Sequence, residues 1–298
     1  SAAWTAAGKT AAVIARRLLA ALCLAGCPAL AGAYFDVGTS HTAGPDNYLS
    51  NAFYGTAASE TGFYLSPSYE VSESSGTALT RSYAGKIGYD QDLFGASAEG
   101  SVSPRQGLGD YAAYSVGGEF IFHFGPGRAR KKETGGWRGS LGMGGLFTRH
   151  IEYIPAVGAR AASDNVVKQT DIVTIGGLEG LGLDLDLEYR RSLYDKVIPS
   201  RPRAALLAQA RGANPAVFGF PTYSMSAQLA YESLPVVVPF VGYSYTAYKV
   251  EQAPAKTYSA GMSVEVKMVE LRASYELYDG GAGSPKRSYF GFGSTLRF

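Results

Sequence analysis

Between Leu183 and Arg190 the chain changes character at every residue. Leu183, Leu185, Leu187 and Tyr189 fall on one parity, and Asp184, Asp186, Glu188 and Arg190 on the other. A β-strand turns successive side chains to opposite faces, so this run makes a ribbon with one apolar and one charged side. The two-residue period recurs along most of the chain. Near the end, Leu271, Ala273, Tyr275 and Leu277 alternate with Glu270, Arg272, Ser274 and Glu276. A soluble sheet would leave such charges merely solvated. In a bilayer every backbone polar group must be paired within the protein, so alternating strands can cross only as a closed barrel.

Composition favours the barrel. A chain of 298 residues could be two soluble domains or one large barrel, but this one holds 38 Gly, 21 Tyr and 14 Phe with only 17% charged residues. No apolar run is long enough for a transmembrane helix, which needs about 18 residues or more. The fold expected is all-β, a transmembrane antiparallel up-and-down barrel. Strand-like segments begin at Tyr34–Thr42 and continue through Gly62–Val71, Leu79–Tyr89, Phe94–Val102 and the two-faced hairpin on either side of the basic loop 125–136. Val167–Leu178 reads as a strand whose facing is ambiguous. Asn47–Ala58 carries the weakest signal; with it the count is 14, the preferred number, and without both early segments it is 12. A single-chain bacterial barrel takes an even number.

The last twelve residues are the most diagnostic. Phe298, Leu296, Ser294, Phe292 and Phe290 share one parity, opposite Arg297, Thr295, Gly293, Gly291 and Tyr289. A terminal Phe preceded by apolar residues at every second position resembles the carboxyl-terminal signature of bacterial outer-membrane β-barrel proteins. That resemblance implies an assembly signal carried by Phe298, Leu296, Phe292 and Phe290 and read by the barrel-assembly machinery. It also implies the outer membrane of a two-membrane envelope as location, with membrane lipid and lipopolysaccharide as surroundings. Leu296 departs from the pattern, where an aromatic residue is more usual, and Ser294 is a weak lipid-facing residue.

Residues 1–33 read as a signal peptide, and 34–298 as the barrel. Lys9, Arg16 and Arg17 supply the positive region, Leu18–Ala25 the apolar core, and cleavage is expected after Ala31 or Ala33. A competing reading makes Leu24-Ala25-Gly26-Cys27 a lipoprotein site with Cys27 lipidated. Both cysteines, Cys23 and Cys27, lie in this segment, so the mature chain is expected to carry neither a disulfide nor a thiolate metal site. Removing those three cations from 27 leaves 24 against 25 acids, a balance that offers nothing to nucleic acid.

Side-chain chemistry points to a lumen, not to catalysis. His41, His123 and His150 are the three histidines, and the hairpin register puts His123 and His150 at opposite ends of their strands. No metal-ligand spacing occurs, and no cofactor is expected. The expected pore-lining set is Lys86, Glu99, Glu119, Arg138, Asp184, Asp186, Glu188, Arg190, Glu265, Lys267, Glu270, Arg272 and Glu276. Charges of both signs there either line a water-filled pore or pair across the lumen and plug it. Tyr34, Tyr89, Tyr111, Trp137, Tyr189 and Tyr231 are expected as anchors at the membrane interfaces.

Counting back from Phe298, the turns near 268, 234, 181 and 91 share one side and are short. The connections near 195–220, 153–166 and 279–286 lie on the other and are longer, as outer-membrane barrels have short periplasmic turns and long external loops. Insert 195–220 is unusually apolar for a loop and is expected outside the cell. The reading is a passive pore for small hydrophilic solutes and not an enzyme. The alternatives are a non-conducting structural or surface-interaction barrel that uses 195–220 and, remotely, a lipid-modifying enzyme that uses His150.

Overall fold

The computed structural model describes residues 34–75, 79–105, 111–126, 136–154, 163–196, 220–249, 253–281 and 285–298. The expected signal peptide and nearly all of insert 195–220 lie outside these residues. Fourteen antiparallel strands follow one another: β1 (Tyr34–Gly44), β2 (Tyr48–Ala58), β3 (Phe63–Glu73), β4 (Thr80–Asp90), β5 (Phe94–Ser103), β6 (Tyr111–Phe124) and β7 (Trp137–Ile154). Then come β8 (Ser163–Gly180), β9 (Leu183–Tyr194), β10 (Pro221–Tyr231), β11 (Val237–Tyr248), β12 (Ala255–Val266), β13 (Val269–Asp279) and β14 (Arg287–Arg297). Each strand pairs with its sequence neighbours, and β14 pairs with β1 to close the ring. Closure leaves no edge strand, which is what lipid requires.

The segment with the weakest alternation does form a strand, β2. Its signal is weak because its faces are mixed. Tyr48 and Tyr54 point inward with Ser50 and Thr56, while Asn51 points outward with Leu49 and Phe53. Tyr54 lies flat over Gly38 on β1, its hydroxyl hydrogen-bonded to Thr295 Oγ1 at 2.9 Å. A Cβ on Gly38 would stand 2.3 Å from that ring, so only glycine admits it.

The apolar parity faces outward throughout. Phe290, Phe292, Leu296 and Phe298, the expected assembly signal, are between 46% and 64% exposed. Two aromatic girdles form, as expected where lipid meets water. The lower one links Phe63, Tyr89 and Phe94, and the upper links Tyr189, Tyr223 and Tyr245. Tyr89, Trp137, Tyr189 and Tyr231 lie on this outer face, but Tyr34 and Tyr111 take inward positions. Tyr111 is not an anchor. It falls on the lumen side because its register partner is Glu152, on the inward parity of β7.

Both ends of the barrel sequence sit at one rim, where β8–β9 and β12–β13 are joined by two residues each. Leu181 and Gly182 both have positive φ, 54° and 74°, giving the tight reversal that suits twisted strands. β7 and β8 are the longest strands, 18 residues each, and pair without interruption up to Ile154 opposite Ser163. The connection expected at 153–166 is therefore shorter, 155–162. Ser163, Asp164 and Asn165 look like turn residues, but the continuing ladder holds them in a strand.

Candidate functional site: the barrel lumen

Twelve of the thirteen expected lumen charges occupy inward positions: Lys86 on β4, Glu99 on β5, Glu119 on β6, Arg138 on β7 and Asp184, Asp186, Glu188 and Arg190 on β9. Glu265 on β12 and Glu270, Arg272 and Glu276 on β13 complete them. Lys267 does not belong to the wall. It is an exposed turn residue with φ of 54°, beyond the last ladder pair Val266–Val269, where parity no longer determines facing.

The charges gather in three places. On β4–β6, Lys86 Nζ meets Glu119 Oε1, which also accepts from Ser97 Oγ at 3.2 Å, and Glu99 is the register partner of Lys86. At the terminal rim, Arg297 bridges Glu265 and Glu270, the second contact at 2.6 Å. Arg297 was legible as polar but not as the residue that binds both acids. Arg272 is held differently, 4.2 Å above the ring of Phe240, an inward aromatic that sequence reasoning missed. Arg138 stands opposite Glu179 in register and reaches the Gln91 carbonyl at 3.5 Å.

The third cluster lies in the upper part of the β6–β9 wall and is buried. Thr148, Gln169 and Asp171 are 0% exposed and His150 is 2%. The Tyr111 hydroxyl donates to His150 Nδ1; His150 Nε2 donates to Gln169 Oε1 at 2.9 Å; Gln169 Nε2 donates to Asp171 Oδ1 at 2.7 Å. Arg190 follows, 3.8 Å from Asp171 Oδ2 and 3.0 Å from Glu188. What covers this row is Phe220, just ahead of β10, whose ring lies 4.8 Å from that of His150 and 5.9 Å from that of Tyr194. Its φ of 49° turns the chain inward, and Tyr194 fastens the bend by donating to the Pro221 carbonyl at 2.7 Å.

Three observations bear on chemistry. Both ring nitrogens of His150 are engaged, so it has no free nitrogen to act as a base. His123 bonds Asp90 at 2.9 Å beside Ser140, while His150 is opposite Ala113, ten positions up β6, so about 33 Å separates the two histidines. Among the described residues the ion pairs run along the wall. Lys86–Glu119 and Arg297–Glu265 each reach two strands over, and Arg105–Asp164 three, in a ring where the opposite wall is seven strands away.

No protein-family description and no curated protein matches the chain. Solved structures do. A monoaromatic hydrocarbon channel, CymD, is 13% identical with a TM-score of 0.52, over 90% of this chain and 88% of that one. The KdgM porin in complex with disordered oligogalacturonate is 10% identical over 88% and 99%, with a TM-score of 0.43. The outer membrane protein OprD from Pseudomonas aeruginosa is 12% identical over 89% and 94%, with a TM-score of 0.41. Identities this low speak to fold alone. With the closed ring and its apolar outer band, the CymD match shows the fold of an outer-membrane β-barrel.

Proposed function

We propose that the protein is a passive pore for small hydrophilic solutes, with an aperture set between the Lys86–Glu119 wall and the segment around Phe220. The observation that carries this reading is the direction of the ion pairs. Lumen charges compensate one another along the wall, within two strands, and so leave the axis to water. Fourteen strands make a ring wider than the eight-stranded kind that side chains fill. The lining between the charges is small and polar, with Ser66, Ser68, Ser82, Ser97, Ser101 and Ser226 all at inward positions.

A second reading has its own support. The buried row under Phe220 means that part of the lumen wall is already covered, and a barrel capped further would not conduct. Single-channel recording of residues 34–298, refolded into a planar bilayer, decides between them. Steady ohmic steps whose ion selectivity shifts when Arg297 or Lys86 is neutralised support the pore. A folded barrel that stays silent, in the wild type and in Phe220→Ala, supports a structural or surface role.

A further inference from the structure

On β7–β9 the outer face carries three cations where lipid-facing residues should be apolar. Arg149 on β7, Lys168 on β8 and Arg191 on β9 all lie on the outward parity and are exposed. Arg149 and Lys168 are direct register partners. Lys168 and Arg191 are four positions apart along β8, since Arg191 pairs with Ile172. That puts their Cα atoms about 14 Å apart, a gap two long side chains can narrow to the width of one headgroup.

Depth matters as much as spacing. The outward residues of β7 run Trp137, Leu141, Met143 and Phe147 before Arg149. Ten residues from Trp137 to Phe147 rise about 25 Å in a strand tilted near 40°, the height of the apolar band of such barrels. Arg149 and Lys168 therefore stand at the upper edge of the hydrocarbon, at phosphate level in the outer leaflet. Below and beside them, Tyr189, Tyr223 and Tyr245 form the upper girdle, with Arg191 beside Tyr223.

Among the described residues the cations outnumber the acids on this face. Among the described residues no carboxylate pairs with Arg149, Lys168 or Arg191. Asp164 is the one acid at an outward position of β7–β10, and it is taken by Arg105 at 2.7 Å. Asp195, just beyond β9, accepts the Lys168 backbone N–H at 2.9 Å and offsets part of the charge at that end. The cations still outnumber the acids, and excess charge beside lipid costs free energy unless a further anion sits among them.

We propose that Arg149, Lys168 and Arg191 form a binding site for the phosphates of an outer-leaflet phosphorylated glycolipid, its acyl chains lying on the apolar stripe of Leu141, Met143 and Phe147. The proposal rests on the chain standing in the outer membrane with its termini toward the periplasm; it does not depend on whether the lumen conducts.

The test is native mass spectrometry of the detergent-purified barrel titrated with diphosphoryl lipid A, with the dephosphorylated glycolipid and with inorganic phosphate. Wild type should retain diphosphoryl lipid A and release the dephosphorylated form. Arg149→Gln/Lys168→Gln/Arg191→Gln should weaken diphosphoryl binding about a hundredfold, on the scale of attraction that each basic residue contributes at an anionic membrane surface. Arg149→Lys/Lys168→Arg should keep it. Heat-modifiable gel mobility reports whether each variant is folded, and single neutralised variants replace the triple if it is not. Equal retention of the dephosphorylated glycolipid, an unaffected neutral variant, or displacement by inorganic phosphate at the lipid's own concentration overturns the proposal.

Discussion

Two polar clusters share one lumen and differ in their surroundings. The Lys86–Glu119 pair keeps a third and a fifth of its side-chain surface open, whereas the His150–Gln169–Asp171 row is closed to water. Both arose from the same sequence rule, a polar residue at every second position. They differ because Phe220 bends in over one and nothing described covers the other. A wet pair is screened and holds little stability; a covered row must satisfy every donor and acceptor internally. The first cluster is suited to acting on ions, the second to holding the wall's shape.

The sharpest way to break this contrast is Gln169→Leu. It removes the acceptor of His150 Nε2 and the donor to Asp171 Oδ1 together, leaving both atoms short of a partner beneath Phe220, and should cost about 3 kcal/mol. Urea unfolding in lipid vesicles, followed by heat-modifiable mobility, measures it. Phe220→Ala comes next: loss of the ring should cost about 2 kcal/mol, less than a fully enclosed Phe, and should raise single-channel conductance if the cover narrows the lumen.

Neutralising the wet charges should do the opposite, changing selectivity while leaving stability nearly untouched. Arg297→Gln frees Glu265 and Glu270 and should move the reversal potential in a salt gradient toward cations. Lys86→Gln should move it the same way by less, with a stability change under about 1 kcal/mol. A third polar pair sharpens the comparison at its small end. His41 and Asn51 bond one another on the lipid-facing side of β1–β2. Replacing both by leucine removes two polar groups from lipid at once and should leave stability equal or higher by about 1 kcal/mol.

Much of the ring was legible because alternation is local. β9 and β13 announced themselves through four consecutive polar–apolar exchanges, and their facing in three dimensions follows that parity. β8 was ambiguous for a physical reason: Val167, Val173 and Ile175 point inward while Val166 and Ile172 point outward, so both faces are apolar in part. The site was legible only as a list of charges. That Arg297 bridges two acids, that Arg272 rests on Phe240, and that Tyr111 belongs to the lumen depend on which strands lie two apart and at what stagger.

The sequence by itself determined most of the strands, the inner and outer faces of those that alternate cleanly, and the need for closure, because a period of two beside lipid allows no other satisfaction of the backbone. Tertiary structure alone decided which inward residues stay wet and which are covered. That depends on where Phe220, at the end of a 26-residue connection between β9 and β10, comes to rest, and no local pattern encodes the resting place of a loop against a wall three strands away.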